Sequence, residues 1–148
     1  MQQSTNYHLP AIYLRAALGL SYIWLVADRL GWLGAPGQPH ISWGDWAHFM
    51  VLSRDTMSFL PDALVNPLAI LASLGEGVFG ILLLVGLFTR WAAIGSGLLT
   101  LAFAISMTIS LGIDAPIGYS VFTVSAASFL LATLPTYKWS IDALISKK

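Results

Sequence analysis

The sequence predicts an all-α integral membrane protein: a four-transmembrane-helix bundle with an amphipathic helix in the long loop between spans 1 and 2. Three observations carry this. Hydrophobic residues make up 57% of the 148 residues and charged residues only 9%, whereas soluble domains run near a quarter charged. Four apolar segments are each long enough to cross a hydrocarbon core of about 30 Å, which takes about 20 helical residues. Those runs are continuous rather than alternating, which excludes the strands of a membrane barrel. No internal repeat is visible, so residues 1–148 are expected to form one integral membrane domain.

The first span runs about Pro10 to Leu33. The preceding residues lack the basic region of a signal peptide, and the segment itself carries Arg15, Asp28 and Arg29. It is therefore expected to be a retained span. The loop 34–66 opens with the irregular turn Gly34-Ala35-Pro36-Gly37-Gln38-Pro39. Ser42-Trp43-Gly44-Asp45 then matches an acidic capping box. Beyond it Trp46, Phe49, Met50, Met57 and Leu60 recur near helical spacing, with Asp45, His48 and Asp55 elsewhere. This pattern predicts an amphipathic helix in the outer interface, acting as a lid on the bundle, a lateral gate or a partner-docking surface.

The second span runs about Pro67 to Phe88, with Asn66 as its expected N-cap and Pro67 at its first helical position. The turn Gly86–Trp91 is so short that spans two and three must form an antiparallel hairpin. The third span runs about Trp91 to Leu111. The fourth runs about Pro116 to Leu134, with Asp114 as its expected cap and Leu134-Pro135 at its end.

Charge orients the bundle. One side carries Arg90, Lys138, Lys147 and Lys148 against Asp142; the other carries Asp45, Asp55, Asp62 and Asp114 against Arg54. Lysine and arginine favour the cytoplasmic side, so both termini are expected there. Trp32, Trp91, Tyr137 and Trp139 fall at span ends, where interfacial aromatics sit. Net charge is zero, so a nucleic-acid partner is not expected. There is no cysteine, which excludes disulfides, thiol exchange and thiolate metal or iron–sulfur sites in this chain.

Glu76 is the residue most in need of explanation. It lies mid-span, and an ionisable group there points to function by default. A central acid costs about 2.5–3.5 kcal/mol on insertion scales. A dozen large apolar residues at about −0.3 to −0.6 kcal/mol each outweigh it. Ala69, Ala72, Ser73 and Gly80 share its face, so Glu76 is expected to point at another helix. The third span offers a matching small row in Ser96, Thr100, Ala104 and Thr108. Arg15, Tyr22 and Arg29 share one face of the first span. At 1.5 Å per residue, Arg29 and Glu76 differ in depth by roughly 7–8 Å, within reach of two long side chains. Asp28 is expected to complete an Asp28–Arg29–Glu76 network, with Arg15 approaching from the cytoplasmic side.

Such a pair acts either as a lock on helix register or as a polar site for a quinone headgroup, a small anion or a proton. His40 and His48 flank Trp43 and Trp46 in the outer loop. These four are candidate ligand contacts, or ordinary interfacial polar and aromatic groups. No third ligand has suitable spacing, so no metal is expected. No intrinsic cofactor is expected; a quinone or a bound lipid is the admissible ligand.

The block Gly75-Glu76-Gly77-Val78-Phe79-Gly80-Ile81-Leu82-Leu83-Leu84-Val85-Gly86-Leu87-Phe88-Thr89-Arg90 resembles the DoxX family. So do Leu30–Gly37, Arg15 in the first span, and the outer loop with Trp43 and Phe49. Members are similar to the large subunit of thiosulfate:quinone oxidoreductase, and others are implicated in membrane redox or thiol-stress complexes. The lack of cysteine departs from the thiol-active relatives. The resemblance implies a small accessory subunit of a quinone-linked redox complex in the bacterial cytoplasmic membrane, alongside other subunits or self-associated. The alternatives are a catalytic quinone-linked oxidoreductase subunit and a small transporter or proton-conducting protein. The wholly apolar run Gly77–Phe88 argues against a continuous proton path.

Overall fold

A computed structural model describes residues 7–146; Lys147 and Lys148, counted in the charge asymmetry, lie outside the described residues. The chain forms seven helices there: α1 His8–Arg29, α2 Trp46–Thr56, α3 Asp62–Val85, α4 Thr89–Leu111, α5 Asp114–Gly118, α6 Val121–Ala132 and α7 Ile141–Ile145. Among the described residues there is no strand. Helices α1, α3 and α4 are each long and apolar enough to cross a membrane, and α6 is a shorter apolar helix. The membrane helical bundle with a loop helix is thus the fold.

Three local expectations need correction. Helix α3 starts at Asp62, with Pro61 as its N-cap, so Asn66 is no cap and Pro67 lies inside the helix. Pro61 is extended (φ −58°, ψ 138°) and Asp62 is an acid in the first turn, favourable at the positive helix end. Pro67 forfeits only one backbone bond close to that end, which the long helix tolerates. Helix α2 is capped by Asp45, not Ser42: the Asp45 carboxylate accepts the His48 N–H at 2.8 Å. Gly44 turns left-handed (φ 72°) and delivers Asp45 in the extended conformation that a cap needs.

The fourth span is not continuous. Ser120 adopts a left-handed conformation (φ 57°) and divides the segment into α5 and α6. Asp114 is the first residue of α5, whose N-cap is Ile113, and it makes no side-chain cap.

Helix α1 packs on α3, and α4 packs on α6. Gly19 and Gly80 let the first pair approach: a Cβ on Gly19 would lie 2.9 Å from the Gly80 carbonyl oxygen. The small row on α4 serves α6 and α1 rather than Glu76. Ser125 donates to the Gly97 carbonyl at 2.8 Å, and Ser96 bonds Ser128 at 3.0 Å and Tyr22 at 2.5 Å. Leu18, Tyr22, Leu83, Ala92, Ala93 and Leu131 form the core beneath. Helix α2 is tied over the end of the bundle opposite the α3–α4 turn: Ser106 and Ser110 of α4 both donate to the Thr56 carbonyl, at 2.6 and 2.9 Å.

Candidate functional site

Glu76 and Arg29 meet between α3 and α1. Their side chains form a direct, hydrogen-bonded ion pair, and the residues are 2% and 5% exposed. The same Arg29 nitrogen, Nη1, donates to Ser73 at 2.8 Å, one turn before Glu76. The helical spacing that put Ser73 and Glu76 on one face therefore makes a two-point receptor for one guanidinium.

Aromatic side chains from the α1–α3 connection close over this pair. The Arg29 guanidinium carbon lies 4.1 Å from the Phe49 ring centroid and 5.0 Å from that of Trp43. Trp43 and Trp46 each stand 5.2 Å from Phe49. A cation over aromatic faces is attracted by the ring quadrupole, more so where water is excluded. Arg29 thus sits in a place with little solvent, held by one carboxylate, one hydroxyl and two rings.

Asp28 does not join this pair. Its carboxylate accepts the backbone N–H groups of Trp43 (2.8 Å) and Gly44 (3.4 Å) and is fully buried. Adjacent residues on a helix point about 100° apart, so Asp28 faces the loop while Arg29 faces α3. The acid holds the loop that carries the lid.

Arg15 and Tyr22 are also apart from Glu76. Arg15 donates through Nε to the Leu83 carbonyl at 3.1 Å, and through its terminal nitrogens to those of Leu84, Lys138 and Trp139 at 3.3–3.4 Å. Arg15 and Arg29 are fourteen residues apart, about 21 Å along the helix. Tyr22 lies between them and heads the hydroxyl chain to Ser96 and Ser128.

The loop histidines stay outside. His48 Nδ1 bonds the Asp45 carboxylate at 2.8 Å on the exposed surface. The His48 backbone N–H, then its ring, hold the Asp45 carboxyl below the usual range. His40 is exposed on a left-handed residue (φ 67°). Among the described residues no three His, Asp or Glu side chains gather into a metal-ligand set.

Two features escaped the sequence pattern. The contact of Trp43 and Phe49 with Arg29 had a partial signal in the aromatic spacing of the loop. The Asp142 carboxylate, which caps α4 by accepting the Phe88 and Thr89 N–H groups at 2.8 Å each, had none.

The DoxX family model matches residues 11–109, about two-thirds of the chain. The chain belongs to the DoxX family. The match takes in Arg15, Asp28, Arg29, Trp43, Phe49 and Glu76, and stops before α5, α6 and α7. No curated protein and no solved structure is significantly similar. In this DoxX protein the matched region therefore holds the whole ion pair and its lid, while the Asp142 cap lies beyond it.

Proposed function

We propose that this DoxX protein is a small accessory subunit of a quinone-linked redox complex in the bacterial cytoplasmic membrane, with both termini cytoplasmic. The single observation that carries an accessory role is the enclosure of the Arg29–Glu76 pair. Both side chains are buried, Trp43 and Phe49 cover the cation, and two surface grooves lie away from the pair. One, of about 420 Å³, is lined by Val85 and residues 139–144; the other, of about 390 Å³, runs along Leu20, Ser21, Trp24 and Leu25. A catalytic carboxylate needs a path to its substrate, and a proton path needs polar groups on both sides of the acid. A pair that fixes helix register needs neither. The redox setting follows from the family resemblance, and the absence of cysteine leaves any thiol-based step to other subunits.

A catalytic quinone-linked role is favoured by one detail. Arg29 Nε is buried without an acceptor, and only one Glu76 oxygen is engaged among the described residues. A carbonyl oxygen entering beneath the lid would satisfy that nitrogen.

The test is isolation from native membranes in mild detergent. An accessory subunit elutes with larger, redox-active chains, and Arg29→Met/Glu76→Leu lowers quinone reduction only as far as it lowers the amount of assembled complex. A chain that elutes alone and reduces quinone itself overturns the accessory role. So does a double variant that assembles fully and is inactive.

A further inference from the structure

The end of the bundle where α3 turns into α4 carries an unusual set of exposed side chains. Phe88, Trp91, Trp139, Leu144 and Ile145 are 60–87% exposed. Phe88 and Trp139 also occupy left-handed backbone conformations (φ 48° and 56°). A non-glycine residue held there is strained and persists only where its surroundings impose it.

Those surroundings are specific. The Asp142 carboxylate takes the N–H of Phe88, and the Asp142 N–H donates to the Gly86 carbonyl at 2.9 Å. Both terminal nitrogens of Arg15 donate to the Trp139 carbonyl at 3.4 Å. Two buried or half-buried charges from other elements thus hold two aromatic residues in strained conformations, side chains outward. The 137–145 segment lies at the level of the α3–α4 turn, because it is bonded to that turn.

The charge at this end is one-sided. Arg90 and Lys138 are exposed, and Lys147 and Lys148 follow in the sequence. The one acid here among the described residues, Asp142, is engaged by Phe88 and Thr89. Outward aromatic and aliphatic side chains interleaved with lysine suit the headgroup boundary of a bilayer with negative surface charge. Amphipathic rings settle at that depth.

We propose that the 137–145 segment, clamped by Arg15 and Asp142, is a docking surface for anionic lipid headgroups. It lies in the membrane plane, with Trp139, Leu144 and Ile145 in the boundary layer. The groove beside Val85 and Leu144 then takes acyl chain. The Arg15 bonds to the Trp139 carbonyl thus serve a part of the molecule separate from the Glu76 site.

The chain has no cysteine, so Leu144→Cys gives one labelling site on an exposed position. The full-length variant is labelled with an environment-sensitive fluorophore and placed in nanodiscs, which leave both faces open to solvent. Discs of phosphatidylcholine alone are compared with discs holding about 30% phosphatidylglycerol. Acrylamide, an uncharged aqueous quencher that the surface potential does not exclude, is expected to quench the label about threefold less in the anionic discs, and headgroup-level nitroxide lipid more. Each lysine shifts the docked-to-free ratio about fivefold. Lys138→Gln/Lys147→Gln/Lys148→Gln, or about 0.5 M salt, therefore abolishes the difference. Equal acrylamide quenching in the two disc types overturns the proposal. Protection that ignores lipid charge and follows protein concentration also overturns it, because a second copy then covers the surface.

Discussion

Arg29→Met is the most informative perturbation of the buried pair. Among the described residues Arg29 is the sole cation bonded to Glu76, and it also supplies the donor to Ser73 and the guanidinium over Phe49 and Trp43. Removing it leaves a carboxylate 2% exposed with no donor among the described side chains. Breaking a buried pair from one side costs about 3–5 kcal/mol, because the surviving charge stays desolvated. That is a drop of about two to three and a half decades in the folded-to-unfolded ratio. Glu76→Leu strands the guanidinium instead and is expected to cost a similar amount. The double variant removes both charges and fills the space with apolar atoms, so it is expected within about 1 kcal/mol of the parent or above it. The coupling energy from the cycle is then at least about 5 kcal/mol. The measurement is reversible unfolding of the purified protein in mixed micelles, followed by helical circular dichroism against denaturing detergent. Single variants that each lose under about 1 kcal/mol would refute the burial argument, since that is the range of exposed pairs. A double variant losing the sum of the singles would refute the pairing.

Three further outcomes follow from the same contacts. Asp28→Asn keeps one acceptor oxygen but turns an amide toward the Trp43 or Gly44 N–H; it is expected to cost about 2 kcal/mol. Hydrogen exchange should accelerate across 31–45 while α3 and α4 stay protected. Asp142→Ala removes the cap from the Phe88 and Thr89 N–H groups and is expected to cost about 1–2 kcal/mol; limited proteolysis should then cut within 137–146 first. The Asp45 carboxyl is held below its ordinary value, so its cap on α2 is complete above the unfolded pKa of about 3.9 and is lost as pH falls through the lower, folded value. Titration of the His48 amide signal checks this, and a midpoint at or above the ordinary carboxylate value would exclude the cap.

The path from sequence to structure was clearest where one helix face carried the information. Ser73 and Glu76 lie one turn apart among small residues, and Arg29 lies at a matching depth on α1, so their meeting was legible from spacing alone. Asp28 sits one residue away, yet it was misassigned because its partners are backbone N–H groups of a loop. Backbone donors have no sequence signature. Asp142 was hidden for the same reason, fifty-three residues from the N–H it caps. Proline misled twice: Pro67 reads as a helix start and Pro116 as the first turn of a long span, but tertiary packing carries α3 through the first and Ser120 ends the helix after the second.

Arg15 and Arg29 together explain why α1 is positioned at both ends. A one-turn slip of α1 along α3 moves each side chain by about 5.4 Å. That slip would part Arg29 from Glu76 and, at the same time, withdraw Arg15 from the Leu83 and Leu84 carbonyls. Apolar packing alone does not resist it strongly, because lipid tails are as apolar as the helix faces and offer comparable contacts. Two charged groups about 21 Å apart on one helix, each satisfied only in one register, do resist it. The two ends differ in kind. At the Arg29 end the charge is paired with an acid and covered by rings, so that contact reads as a lock. At the other end Arg15 is spent on carbonyl oxygens, two of which belong to the segment that carries Trp139, so the register of α1 also sets where that segment meets the bilayer.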